Sequence, residues 1–357
     1  MDKQRREMML TLALAALGGF PGAGALLAAP LAGDRAGRKP FVPASGPRVR
    51  VVFVNDLSGD ADGLFAGVHA LLSPSIDLRA IIGTTTGSPE ETTAASVSLA
   101  QELLRLTGRT GRIPIYAGAE GKLTAAGQPV RSAGTQAIID EAMRGDTSMP
   151  LYVAVGGGLT EVASALMLEP SIASRLTVIW IGGVVSPDAA EPEYNFRIDP
   201  LAARFVFNDA SVPIWQIPRE AYSTCLVSIT ELRAHVAPRG KIGKWLYDKM
   251  LAANAKFAGM RVNTGETWTL GDNPLVLLAA LADWVPSQFG QQPRYERTGS
   301  SIFHEQLAPF LDQRGRPQPR EHGRKIRIYQ TVDVRMMLAD FYSKLHVQGD
   351  KKRIVVR

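Results

Sequence analysis

The 357-residue chain has one cysteine, Cys225. That excludes an intramolecular disulfide framework and a cysteine-rich zinc site. Its neighbours Thr224, Leu226 and Val227 supply no cation or histidine to activate a thiolate, so Cys225 reads as a small apolar core residue. Histidine is scarce as well: there are five, and His69, His235, His304, His322 and His346 all lie outside any recognisable metal or catalytic motif. His69 stands among apolar residues of a helical stretch and is expected to be structural. Long runs of like charge are missing, and the net charge is a modest +6. The densest basic stretches, Arg35–Arg38, Arg320–Arg327 and Lys351–Arg357, are short and lack interleaved aromatics, which argues against nucleic-acid binding. No repeat and no break in composition follows residue 48, so one domain over 49–347 is expected, with a basic tail over 348–357. At 45% hydrophobic residues the chain can bury a sizeable core.

The first 32 residues differ from the rest. Lys3, Arg5 and Arg6 give a positive start, Met8 to Leu27 is apolar, and Ala28, Ala29 and Ala32 offer small residues for cleavage. Arg5-Arg6 before the apolar run fits a twin-arginine signal. Gly18, Gly19, Pro21, Gly22 and Gly24 interrupt the run and weaken it as a membrane span. The expectation is an export signal over 1–32, a linker over 33–48, and a folded part that is periplasmic or extracellular, with no membrane association beyond the signal.

From residue 49 strands and helices alternate. Val49–Asn55, Leu78–Thr84, Ile113–Tyr116, Leu151–Val155, Leu176–Ile181 and Val212–Gln216 read as buried strands. Helical stretches lie between them over Leu64–Leu72, Thr160–Leu168 and Asp199–Phe207. A further helix is expected from Ser88, with Ser88 and Glu91 forming a capping box and Gly108 as the stop. Lys325–Gln330 and Val334–Leu345 add a strand and a helix that close the sheet edge. This pattern predicts an α/β domain with a mostly parallel open sheet and helices on both faces. Ligands of such folds bind beyond the carboxyl ends of the strands.

At the first of those ends, Asp56, Asp60 and Asp62 fall within seven residues. Carboxylates this close repel unless protons or a cation compensate, and an oxygen-rich loop suits a hard cation such as calcium. An EF-hand is rejected: Ser58 occupies the first loop position, His69 stands where the bidentate Glu belongs, and a strand precedes the loop. A solvated turn capping the next helix is the plain alternative.

The cluster resembles the Asp-x-Asp-x-Gly-x-Asp-Asp motif of the inosine-uridine preferring nucleoside hydrolases. Further matches follow in that family's order. Ile113-Pro-Ile-Tyr-Ala-Gly118 is similar to its Val-Pro-Val-Tyr-x-Gly segment, and Gly156-Gly-Gly-Leu-Thr-Glu161 to its Gly-Pro/Gly-Leu-Thr-Asn segment. Ile181-Gly-Gly183 resembles its Met-Gly-Gly. Glu193-Tyr-Asn-Phe-Arg-Ile-Asp-Pro-Leu-Ala-Ala203 resembles its Glu-Phe-Asn-x-x-x-Asp-Pro-Glu-Ala-Ala. Leu270-Gly-Asp-Asn273 resembles its Leu-His-Asp-Pro.

The resemblance implies calcium-dependent cleavage of the N-glycosidic bond of a ribonucleoside or related ribosyl compound, giving ribose and free base, as in purine and pyrimidine salvage. It makes Asp56 the base. Asp56, Asp62 and Asp272, the Gly156 carbonyl and the extra carboxylate Asp60 become calcium ligands. Glu193, Asn195 and Ser88 become contacts to a small ribosyl substrate, and a homo-oligomer is allowed. Taken singly, Asp272 could be a helix cap, Asn195 a turn residue and Glu193 a surface charge. Three departures stand out: Val54 replaces the motif's first aspartate, Gly63 its last, and Gly271 the histidine that protonates the leaving base in many members. Arg219, Trp268, Tyr222 and His304 are the candidates for that side. The alternatives are a nucleoside- or ribose-binding protein without turnover, and a hydrolase of another sugar conjugate.

Overall fold

The computed structural model describes residues 41–44, 46–281 and 300–351. The expected export signal, most of the linker and residues 352–357 of the tail lie outside the described residues. Among the described residues no helix is long and apolar enough to cross a membrane.

Strand β1 (Val49–Asn55) is buried along its whole length. Its side chains alternate between two cores: Val51 and Phe53 enter one, Val52 and Val54 the other. That two-residue alternation, with both faces apolar, makes it a central strand. Around it stand β2 (Ile76–Gly83), β3 (Ile115–Ala117), β4 (Leu151–Gly156), β5 (Thr177–Ile181) and β6 (Ile214–Ile217). A small two-stranded antiparallel sheet pairs β7 (Leu226–Ser228) with β8 (Thr267–Thr269). After β9 (Ile302–Leu307) come the two-residue strands β10 (Phe310–Leu311) and β11 (Pro317–Gln318), then β12 (Lys325–Thr331).

The main sheet has eight strands in the order β3-β2-β1-β4-β5-β6-β12-β9. All neighbours run parallel except β9 against β12. The expected sheet is therefore present, with one refinement: Lys325–Thr331 lies inside the sheet, and the antiparallel β9, which the sequence reading did not mark, forms the edge.

The core on one face takes in helix α1 (Asp62–Leu71). On the other face, α3 (Ala133–Ala142), α4 (Thr160–Leu168) and α5 (Pro200–Asn208) pack into the second core. Between α1 and α3 in the chain lies α2 (Thr93–Thr107). Two long helices, α6 (Gly240–Gly259) and α7 (Val334–Lys351), complete the first layer. Asp199 caps α5 as expected, Oδ1 accepting from the Ala202 amide at 2.9 Å.

One helix start differs from expectation. α2 begins at Thr93, with the Thr92 side chain accepting from Ala95 N at 3.1 Å. Ser88 to Glu91 instead form a turn, the Glu91 amide donating to Ser88 O at 3.1 Å. The Glu91 carboxylate cannot close a capping box because Thr86 and Lys256 claim its two oxygens. Gly108 ends the helix at φ 71°, a left-handed conformation that suits glycine.

The chain leaves β1 toward β2 and β3, then returns to β4 on the other side of β1. Strand order therefore reverses between β1 and β4. The carboxyl ends of those two strands open a crevice at the place where doubly wound sheets bind ligands.

Candidate active site

β1 ends at Asn55 and β4 at Gly156, paired in register, and the Asp56 amide donates to Gly156 O at 3.2 Å. The loop after β1 turns tightly: Gly59 N donates to Asp56 O at 2.7 Å, and Asp62 N to Asp60 Oδ1 at 2.8 Å. α1 then starts at Asp62, so one short loop presents two half-buried carboxylates, Asp56 and Asp62. Asp272 arrives from far along the chain, after β8. It is buried, its Oδ2 accepts from Asn55 Nδ2 at 2.7 Å, and its amide donates to Asp62 Oδ2 at 3.1 Å. Its side chain is thus turned to the crevice, not spent on a helix cap.

Among the described residues no positive charge stands out as balancing this group. Burial, then the charges of Asp272, Asp60 and Glu91, hold Asp56 well above the usual carboxylate range. Asp62 is raised by burial and by Asp272, Asp60 and Asp56. Burial also lifts Asp272, to about 7, against the hydrogen bond from Asn55. Asp60 differs from the other three: it is exposed, and its carboxylate turns the loop.

The expected sugar contacts lie beside β5. Glu193 is 2% exposed, so it is no surface charge. Its Oε2 accepts from Gly183 N at 2.8 Å and Phe196 N at 2.9 Å, and its Oε1 accepts from Tyr222 OH at 2.8 Å. Asn195 Nδ2 donates to Ile181 O at 2.8 Å. Ser88 sits exposed on the turn after β2 and does not join the buried set.

Of the leaving-side candidates, Tyr222 comes nearest. A Cβ built on Gly271 would lie 3.3 Å from Tyr222 Cδ2 and 3.1 Å from Asp62 Oδ2. Burial, then the Glu193 carboxylate, push the Tyr222 phenol far above its ordinary range, so it stays a donor. Arg219 reaches Glu191 O at 3.3 Å from the same helical turn. Trp268 turns into the apolar core against Phe257, and its indole N–H finds no acceptor. His304 lies on β9, five strands along the sheet from β1. His69 is structural, as expected: buried, with Nε2 2.7 Å from Asp340 Oδ2.

Four further residues line the rim, none of them marked as a site residue by sequence reasoning, which took Glu91 for a helix cap. Glu91 bonds Lys256 from α6 and Thr86 Oγ1, the latter at 2.6 Å, and Tyr194 also bonds the pair. Thr86 follows β2, so the strand-end rule pointed to it. Nothing local ties Lys256 to a loop 165 residues earlier.

The inosine-uridine preferring nucleoside hydrolase family model matches residues 52–340, most of the chain. The chain belongs to that family. A 78-residue stretch is 41% identical to the inosine-uridine preferring nucleoside hydrolase of Leishmania major, and covers 21% of this chain and 24% of that protein. The chain thus aligns with about a quarter of that relative's length. The purine-preferring ribonucleoside hydrolase from Gardnerella vaginalis superposes with a TM-score of 0.64 at 19% identity, over 84% of this chain and 99% of its own. A plant nucleoside hydrolase gives 0.63 at 17% identity, with the same coverage. At those identities the likeness establishes the fold.

Nucleoside hydrolases are metal-dependent as a family. Among the described residues of this one, no three His, Cys, Asp or Glu side chains converge as a ready cage. The donor chemistry nonetheless fits a hard cation: three mutually repelling carboxylates, a strand-end carbonyl at Gly156, and a buried Asn55 Oδ1 without a hydrogen-bond partner.

Proposed function

We propose that this nucleoside hydrolase relative is an exported, calcium-dependent N-glycoside hydrolase of a ribonucleoside or related ribosyl compound. The observation that carries the reading is the meeting of three carboxylates at the topological switch point: Asp56 follows β1, Asp62 opens α1, and Asp272 docks on both, its Oδ2 accepting from Asn55 Nδ2 at 2.7 Å and its amide donating to Asp62 Oδ2 at 3.1 Å. Calcium held by Asp56, Asp62, Asp272 and the Gly156 carbonyl would supply electrostatic activation of water and orientation of the sugar hydroxyls.

Asp56 takes a proton from the attacking water, which adds to the anomeric carbon as the bond to the base breaks. Asp62, half-buried beside it, faces the sugar. Glu193 and Asn195 are held rigid by their backbone partners, so their remaining lone pairs and protons can fix ribose hydroxyls with little loss of freedom. On the leaving side Gly271 provides no imidazole. Tyr222 stands next to it as a protonated phenol, and Arg219 adds positive charge nearby. Export rests on the signal expected over 1–32.

Gly271 also favours a second reading, a protein that binds the ribosyl group without turnover. Purified protein incubated with purine and pyrimidine ribonucleosides, with calcium or with a chelator, separates the two. Calcium-dependent release of reducing sugar is the expected outcome. Ligand binding without sugar release from any nucleoside would overturn it in favour of binding alone, or of another sugar conjugate as substrate.

A further inference from the structure

The Asn55 amide occupies a slot walled by two glycines. A Cβ on Gly63 would lie 2.0 Å from Asn55 Oδ1, and a Cβ on Gly156 would meet Asn55 Nδ2 and Asp272 Oδ2 closer than any real contact. No side chain larger than hydrogen fits at either position while Asn55 stands as it does. The slot is fully enclosed, since Asn55 is 0% exposed. It is also unsatisfied: Nδ2 donates to Asp272 at 2.7 Å, but among the described residues Oδ1 has no partner. A buried amide oxygen without a donor is costly, and such atoms are rare in folded proteins.

The two ends of an amide exchange by a half-turn about Cβ–Cγ with little change of shape. In the exchanged orientation Oδ1 would lie against Asp272 Oδ2 at about the distance Nδ2 has now. Two oxygens in contact repel unless a cation sits between them. Hard divalent cations take amide oxygens together with carboxylates. The carboxylate set alone falls short of a cage, so the missing donors must come from other groups.

We propose that Asn55 is itself a ligand of the divalent cation, its amide group filling the space that a residue-63 side chain would otherwise take, and that the amide turns over on binding so that its oxygen faces Asp272. Without the cation, Nδ2 faces Asp272; with it, Oδ1 shares the ion with Asp272. Residues 55 and 63 therefore compete for one space beside Asp272. The inference rests on the metal-dependent reading above, and it adds a ligand whose residue type gives no hint of such a role.

Calcium binding to the chelator-treated protein, measured by calorimetry and by terbium luminescence, tests it independently of catalysis. Asn55→Leu keeps the volume and removes the oxygen, and is expected to weaken calcium binding at least about tenfold, the lower end of what losing even a supporting partner of a metal ligand costs. Asn55→Asp adds charge at the same point and is expected to tighten it. Gly63→Asp alone is expected to fold poorly, because its Cβ has no room. The double variant Asn55→Ala/Gly63→Asp is expected to restore folding and bring affinity back to about the parent level.

A folded Asn55→Leu protein with parental affinity, or an Asn55→Asp protein that binds no tighter, would falsify the assignment. A parent protein that binds no calcium would also overturn it. Ribonucleoside hydrolysis in the same samples separates the two levels. Calcium-dependent turnover with an indifferent Asn55 sinks only this ligand, whereas absent turnover sinks the hydrolase reading.

Discussion

The two ends of β1 bury charge in opposite ways. At its start, Arg50 is matched on every side: Nη1 meets Glu141 Oε1 at 2.6 Å, and Nε donates to Met149 O at 2.9 Å. Arg79 and Arg144 approach the same Glu141 carboxylate, each at 3.2 Å, and pair in turn with Asp77 at 3.5 Å and Asp146 at 2.6 Å, so that three cations meet three carboxylates. Just past its end, the charged groups that act on Asp56, Asp62 and Asp272 among the described residues are other carboxylates. The first cluster closes on itself and needs nothing. The second can be closed only by protons or by a cation from outside. Burial of charge is common to both; the sign balance is what separates architecture from a binding site.

The contrast can be broken at either end. The largest effect is expected from Asp56→Asn, which should slow ribose release by about 10²–10⁴-fold, the usual worth of a general base. The same change relieves repulsion, so the melting temperature should hold or rise. An unchanged rate in a folded variant would remove Asp56 as the base.

At the other end, Glu141→Ala leaves Arg50 buried without its partner. Unfolding in denaturant should show a loss of about 3–5 kcal/mol, with calcium affinity unchanged. A loss under about 1 kcal/mol, the level of an exposed pair, would erase the distinction between the two ends.

The smallest effect sharpens the comparison through pH. Unfolded aspartates titrate near ~3.9, while Asp272 is lifted to about 7 and Asp56 and Asp62 are raised in the same direction. Between those values the folded state keeps protons that the unfolded state has released, so stability falls as pH rises through the window. Without calcium, the melting temperature should therefore decline from about pH 4 to 7. Saturating calcium should flatten that slope, and an equal slope in both buffers would show that the carboxylates do not bind the ion together.

Much of the frame was legible because it is written locally. The β-branched run Val49–Asn55, the Asp199 cap and the Gly108 stop each depend on near neighbours, and each stands where the sequence placed it. The Ser88 cap failed for a long-range reason: Lys256, from a helix the sequence reading did not mark, draws Glu91 away. The edge strand β9 was hidden because its pattern is mostly exposed and carries no apolar alternation. In the site, Asp56 and Asp62 followed from the strand-end rule. Asp272 was found only through an ordered set of motifs, since nothing near residue 272 announces its meeting with residue 55. Asn55 was read as the last residue of a strand, and its role depends on two glycines that only the fold brings against it.

The bond from Asn55 to Asp272 spans 217 residues of chain. The crevice therefore does not exist until nearly the whole sheet has assembled and the segment after β8 has docked on it. Contacts of such long range tend to form late on the folding route, because loop closure must precede them. An ion taken up there would arrive after the decisive barrier, leave the folding rate almost untouched, and act on the reverse step. For a protein expected to work outside the cell's own chaperones and repair, calcium would then set chiefly how long a folded molecule lasts.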